Sequence, residues 1–128
     1  MRAYLPLSHD DLAGFLESGS FHAAEVFAPT PNFVAENLDC DQEEIEYLLS
    51  VMGGEAALNL RTSQTAPGIV LAVDLVQGQY GEARDATYLV IAPIHWDQVQ
   101  CALLAEQGED ELIWFATQEI TQELDNWK

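Results

Sequence analysis

Apolar positions along the chain follow two rhythms, and the switches between them mark out the elements. Residues 2 to 7, "RAYLPL", and 24 to 28, "AEVFA", are short apolar runs that read as strands. Between them, "SHDDLAGFLESG" places Leu12, Phe15 and Leu16 on one helical stripe, with Ser8 as N-cap and Gly19 as stop. Thr30 and Pro31 have the chemistry of a helix start, a hydroxyl cap followed by a proline whose missing N–H costs nothing there. Asp41 and Glu44 stand at capping-box spacing, and Ile45, Leu48, Leu49 and Met52 keep a period of about 3.6. Gly53 and Gly54 are expected to break or kink that helix, because each glycine costs about 1 kcal/mol in a helix interior. After a "TSQTAPG" loop, "IVLAVDLV" is apolar on both faces and predicts a central strand. A hairpin-like "QGQYGEARD" then leads to a strand at "ATYLVIAP". "HWDQVQCALLAEQ" reads as helix, "ELIWFA" as the last strand, and "TQEITQELDNW" as a closing helix with Ile120, Leu124 and Trp127 on one face.

The closing segments echo the opening ones. Setting residue i against i+87 matches Pro6 with Pro93, Asp10 with Asp97, Leu16 with Leu103, Thr30 with Thr117 and Glu36 with Glu123. Residues 1–38 and 86–128 then read as two βαβα halves around a central segment, 39–85, whether by duplication or by coincidence of element order. The expectation is one α/β (mixed α+β) domain over residues 1–128: a single mixed sheet of about five strands with helices packed on it.

Composition changes this picture in one respect. The hydrophobic fraction of 48% is ordinary and predicts a packed core, but 22 acidic residues face only four basic ones, for a net charge of −18. Arg2, Arg61, Arg84 and Lys128 are too few to neutralise the acids at helical spacing. Direct contact with nucleic-acid phosphates or an anionic membrane is therefore disfavoured, and a basic protein surface remains an open partner class. Solubility alone is the plainer reason for such a charge. No apolar run approaches the roughly 20 residues that span a bilayer. The N-terminal segment lacks the pattern of a signal peptide, so the expected location is cytoplasmic, with Cys40 and Cys101 as reduced thiols.

Candidate chemistry is sparse. Asp74 interrupts the "IVLAVDLV" strand, and a buried carboxylate needs a donor, for which Arg61 and Arg2 are the obvious choices. If strands within each half run parallel, the strand-to-helix turns bring His9, His95, Thr30 and Thr117 toward one rim, where ligands favour helix N-termini. A histidine near a carboxylate suits acid–base work, yet Asp10, Asp11 and Asp97 are also what any helix start prefers. "DCDQEEIE" lacks the glycine-assisted turn and closing Glu of a calcium loop, and "GQYGE" lacks the Lys-Ser/Thr of a phosphate loop. No cofactor or metal is implied. Core packing is the default for Trp114, whereas Trp127 leaves open whether the last helix docks on its own sheet or on a second subunit.

"MRAYLP", "FAPTP", "EEIEY", "LNLR", "VLAVD" and "WFATQE", in that order, resemble a family of small, acidic, uncharacterised actinobacterial proteins. The segment after Thr30-Pro31 departs from it, being poorer in Arg and aromatics. The resemblance implies a bacterial cytosolic setting and brings no catalytic residues. Two readings follow. The first is a non-catalytic binding or regulatory module that recognises a basic protein surface, with a homodimer as one form it could take. The second is a small enzyme using His9 or His95 with a carboxylate.

Overall fold

The computed structural model describes all 128 residues. The chain runs β1 (Arg2–Leu7), α1 (His9–Ser18), β2 (Ser20–Phe21), β3 (Glu25–Phe27), α2 (Pro31–Glu36), α3 (Gln42–Leu58), β4 (Gly68–Asp74), β5 (Tyr80–Ala83), β6 (Thr87–Val90), β7 (Ile94–His95), β8 (Val99–Ala105), β9 (Ile113–Ala116) and α4 (Ile120–Glu123). Seven strands form one sheet in the order β5-β6-β3-β1-β4-β8-β9, and β2 pairs β7 in a separate ladder. Every pairing is antiparallel.

The five strands expected from the sequence are all present. The count rises to seven in the main sheet because β5 and β8 join it, and the expected mixed, partly parallel sheet is replaced by a wholly antiparallel one. The "HWDQVQCALLAEQ" segment is the main correction. Apart from one 3-10 turn at Trp96–Gln98 it is extended, and Val99–Ala105 pairs with β4 on one side and β9 on the other. Ala and Leu favour helix locally, but two ladders and burial outweigh that preference. With a strand at the place where the first half has α1, the two halves do not share one element order.

Both faces of the sheet are covered, which explains the near-continuous apolar run in β4. On one face Ala3, Leu5 and Leu7 of β1 join Ile69, Leu71 and Val73 of β4 beneath Leu12 and Phe15 of α1, with Ile120 and Trp127 closing the far side. On the other, Tyr4, Val70, Ala72 and Cys101 lie under Ile45, Leu49 and Ala57 of α3. The C-terminal turns thus dock on their own sheet: Trp127 is buried and meets Phe115 edge-on at 5.2 Å.

The α3 helix starts where its sequence predicts, with the Asp41 carboxylate accepting from the Glu44 N–H at 2.8 Å and Glu44 accepting in return from Asp41. It does not break at Gly53-Gly54 but continues to Leu58. A Cβ on Gly53 would lie 3.3 Å from Val70 Cγ1, and one on Gly54 3.1 Å from Leu112 Cδ2. The pair lets the helix approach the sheet closely, and that packing outweighs the helical cost of glycine.

Candidate functional site

The antiparallel sheet dismantles the expected rim. His9 is the first residue of α1, while His95 pairs with Ser20 beyond the other end of that helix. A ten-residue helix is about 15 Å long, so the two imidazoles lie far apart. His9 Nε2 sits 2.8 Å from the Leu124 carbonyl and ties α1 to the C-terminal turn. His95 is exposed, and its backbone N–H donates to Gln98 Oε1 at 2.9 Å.

The two threonines are fasteners. Buried Thr30 caps α2 by accepting from the Phe33 N–H, and its hydroxyl donates to the Asp85 carbonyl. Thr117 donates to the Val99 carbonyl at 3.1 Å, joining the start of the C-terminal turns to β8. Arg61 spreads its guanidinium over the carbonyls of Leu58, Gln64 and Ala66 and over Gln107 Oε1, closing the C-terminal end of α3 and the following loop. Such a fork suits arginine, which offers five fixed donors.

Asp74 is paired by Arg2 and not by Arg61: Arg2 Nε donates to Asp74 Oδ1 at 2.7 Å across the β1–β4 ladder. The side chains are 38% and 46% exposed, so Asp74 lies at a strand end in partial contact with water, not in a sealed interior. Its neighbours on the α3 face are Tyr4 and Cys101. Burial pushes the Tyr4 phenol up to about 12, with Glu46 adding to the effect and Arg2 opposing it. Burial likewise raises the Cys101 thiol, against the pull of Arg2 and of the Trp114 side chain. A thiol held in its neutral form is a poor nucleophile, so this cluster stabilises protonated groups and does not activate one.

Two features escaped sequence reading. Buried Gln79 exchanges amide hydrogen bonds with Gln98, at 2.7 and 2.6 Å, while Gln79 also donates to the Pro93 carbonyl and Gln98 to that of Asp74. This network fastens the end of β4 to β7, and nothing in the local pattern of either glutamine announces it. The second is a cleft of about 350 Å³ beside β1, where the pairing with β3 is confined to Tyr4 and Phe27. Leu5, Phe21, Phe27 and Leu60 line it together with exposed His22, Asp11 and Glu25. No hydrogen bond or ion pair joins these three ionisable side chains to one another, unlike the polar groups of a formed catalytic pocket. No three His, Cys, Asp or Glu side chains come together as metal ligands.

What remains is the surface. Only two ion pairs form, Arg2–Asp74 and Lys128–Asp125, so most of the 22 carboxylates have no cationic partner. Two acidic stretches are exposed. Asp39, Asp41, Glu43 and Glu44 surround the start of α3, and Glu106, Glu109, Asp110 and Glu111 form the turn between β8 and β9. Beside the second stretch Trp114 stands 60% exposed, opposite to its expected place in the core. The other two tryptophans pack inward, Trp96 edge-on against Phe15 at 5.0 Å and Trp127 buried.

Comparisons with curated proteins and with solved structures find no match to the chain. A family model does match, from β1 through the turn after β8 and short of the "WFATQE" segment. That match covers residues 1–109, and the chain belongs to DUF6912, a family of unknown function.

Proposed function

We propose that this protein is a non-catalytic binding module that recognises a basic protein surface, in a cytoplasmic setting where both thiols stay reduced. The supporting observation is the imbalance of charge after internal pairing. Arg2 and Lys128 are held by Asp74 and Asp125, and Arg61 is occupied by backbone carbonyls and Gln107, so the acidic surface has little internal neutralisation. Unpaired surface carboxylates attract a cationic partner over roughly one Debye length and repel phosphates. The scattered positions of His9 and His95 give no comparable support to acid–base catalysis.

Capture from a lysate of the source cells at low ionic strength tests the reading when two charge variants run beside the unmodified chain. One carries amides at Asp41, Glu43 and Glu44, the other at Glu109, Asp110 and Glu111. The expected result is a basic protein retained in stoichiometric amount and lost from at least one variant. Retention of the same proteins by all three chains would remove the charge argument.

A further inference from the structure

We propose that the open edge of β9 takes up an extended, lysine- or arginine-bearing segment of the partner protein as an added strand, seated on Trp114. The proposal rests on the basic-partner reading and gives it a place and a geometry.

The two edges of the sheet are not alike. At one end, β5 is blunted: its register with β6 slips between Tyr80 and Ala83, and exposed Gly81 and Glu82 occupy the slip. Bulges and charges of this kind keep an edge from pairing with other chains. At the other end, β9 reads Ile113, Trp114, Phe115, Ala116, in unbroken register with Leu104, Leu103, Ala102 and Cys101. It carries no charge, no proline and no bulge. The Ala116 N–H donates to Glu119 Oε1 at 2.8 Å, so it points away from β8 and is already satisfied, which leaves the open part of the edge centred on Trp114. Since strand backbone groups alternate sides, the N–H and C=O of Trp114, two residues earlier, also face outward.

The side chains fit the same purpose. Phe115 turns into the core against Trp127, leaving Trp114 and Ile113 exposed by 60% and 44%. Trp114 lies on the α3 face. Tyr47, 54% exposed, stands two turns before Gly54 on the flank of α3 that meets Ala105 and Leu112. An indole face attracts a lysine or arginine head group and gives apolar support to its stem.

Charge decides between occupants. Glu109, Asp110 and Glu111 precede the strand and Glu119 follows it, all exposed and none in an ion pair. A second copy of the chain, paired antiparallel about Trp114, would set Glu109 of each copy against Glu119 of the other. Like charges in opposed positions are destabilising, whereas a cationic segment meets carboxylates at both ends. The occupant is therefore a basic strand and not a second copy.

A fluorescent peptide of alternating Lys and Val tests this on the full chain at low ionic strength. It is run beside a Glu–Val counterpart and a Lys–Val peptide methylated at every backbone amide nitrogen, so that neither edge can donate. Binding of the Lys–Val peptide is expected, with slowed hydrogen exchange at the Trp114 amide and affinity lower by roughly tenfold for the methylated peptide, which keeps its charge but loses strand hydrogen bonds. Trp114→Ala should weaken binding severalfold. Trp114→Pro should abolish it and keep the fold, because an outward N–H is where an edge strand tolerates proline. Equal binding of the methylated peptide, with Trp114→Ala indifferent, would overturn strand addition and leave the basic-partner reading standing. No binding of either Lys–Val peptide would overturn both, and equal binding of the Glu–Val peptide would overturn the charge argument. A dimer of the free chain that Trp114→Pro disperses would make the occupant a second copy and overturn the proposal.

Discussion

At the scale of single residues, the side chains that looked chemical in the sequence are engaged in holding the fold. Thr30, Thr117, His9 and Arg61 each fasten one segment to another, and Asp74 pairs with Arg2. The sequence shows which residues can hydrogen-bond but not that β1 and β4 are neighbours, and that adjacency is what selects Arg2 over Arg61. The Arg2–Asp74 pair is half exposed and should contribute only about 0.5–1 kcal/mol, as a double-mutant cycle with Arg2→Ala and Asp74→Ala would show in urea melts. Tyr4 should matter more, and with a definite pH window. Its folded-state value is raised from near 10 to about 12, so the stability it confers is complete below pH 10 and is lost as pH rises toward 12. At about 1.4 kcal/mol per unit, the loss amounts to about 2–3 kcal/mol. Cys101 shifts in the same direction, so Tyr4→Phe should flatten the alkaline decline in stability without removing it. Urea midpoints that fall just as steeply in Tyr4→Phe would show that the phenol is not the cause.

Among elements, the legible ones carry their own signals. Ser8 and Gly19 bound α1, the Asp41–Glu44 box starts α3, and β4 shows an apolar run on both faces. The misread ones depend on distant partners. β8 has a helical composition and becomes a strand only between β4 and β9, while Gly53-Gly54 resembles a break until the sheet that needs the space is in place. Glycines at different sites should therefore respond in opposite ways to the same substitution. A Cβ at Gly68 would lie 2.8 Å from the Leu58 backbone nitrogen and 3.0 Å from two Ala57 atoms, so Gly68→Ala should destabilise by about 3 kcal/mol. Gly14, inside α1, has nothing within 4 Å of such a Cβ, and Gly14→Ala should stabilise by about 0.5–1 kcal/mol. Denaturant midpoints that move the same way for both would contradict this account of the packing.

For the whole molecule, charge is the property that sequence alone states most fully, and folding adds where it goes uncompensated. With a net charge of −18 and two ion pairs, self-repulsion opposes the compact state. The melting temperature should consequently rise as salt is added from low ionic strength, and a flat response would mean that the carboxylates are too dispersed to interact. No helix is long and apolar enough to cross a membrane. Trp114 faces outward beside an acidic turn, against its expected core position, because Phe115, its neighbour in the strand, turns inward against Trp127 instead. Recognition by charge is tested by the affinity of the purified protein for its captured partner as sodium chloride is raised. Recognition through carboxylates predicts tight binding at low salt that weakens roughly tenfold or more toward high salt, as screening shortens the reach of the charges. An affinity that stays constant across the salt series, or the absence of any stoichiometric basic partner at low salt, would contradict it.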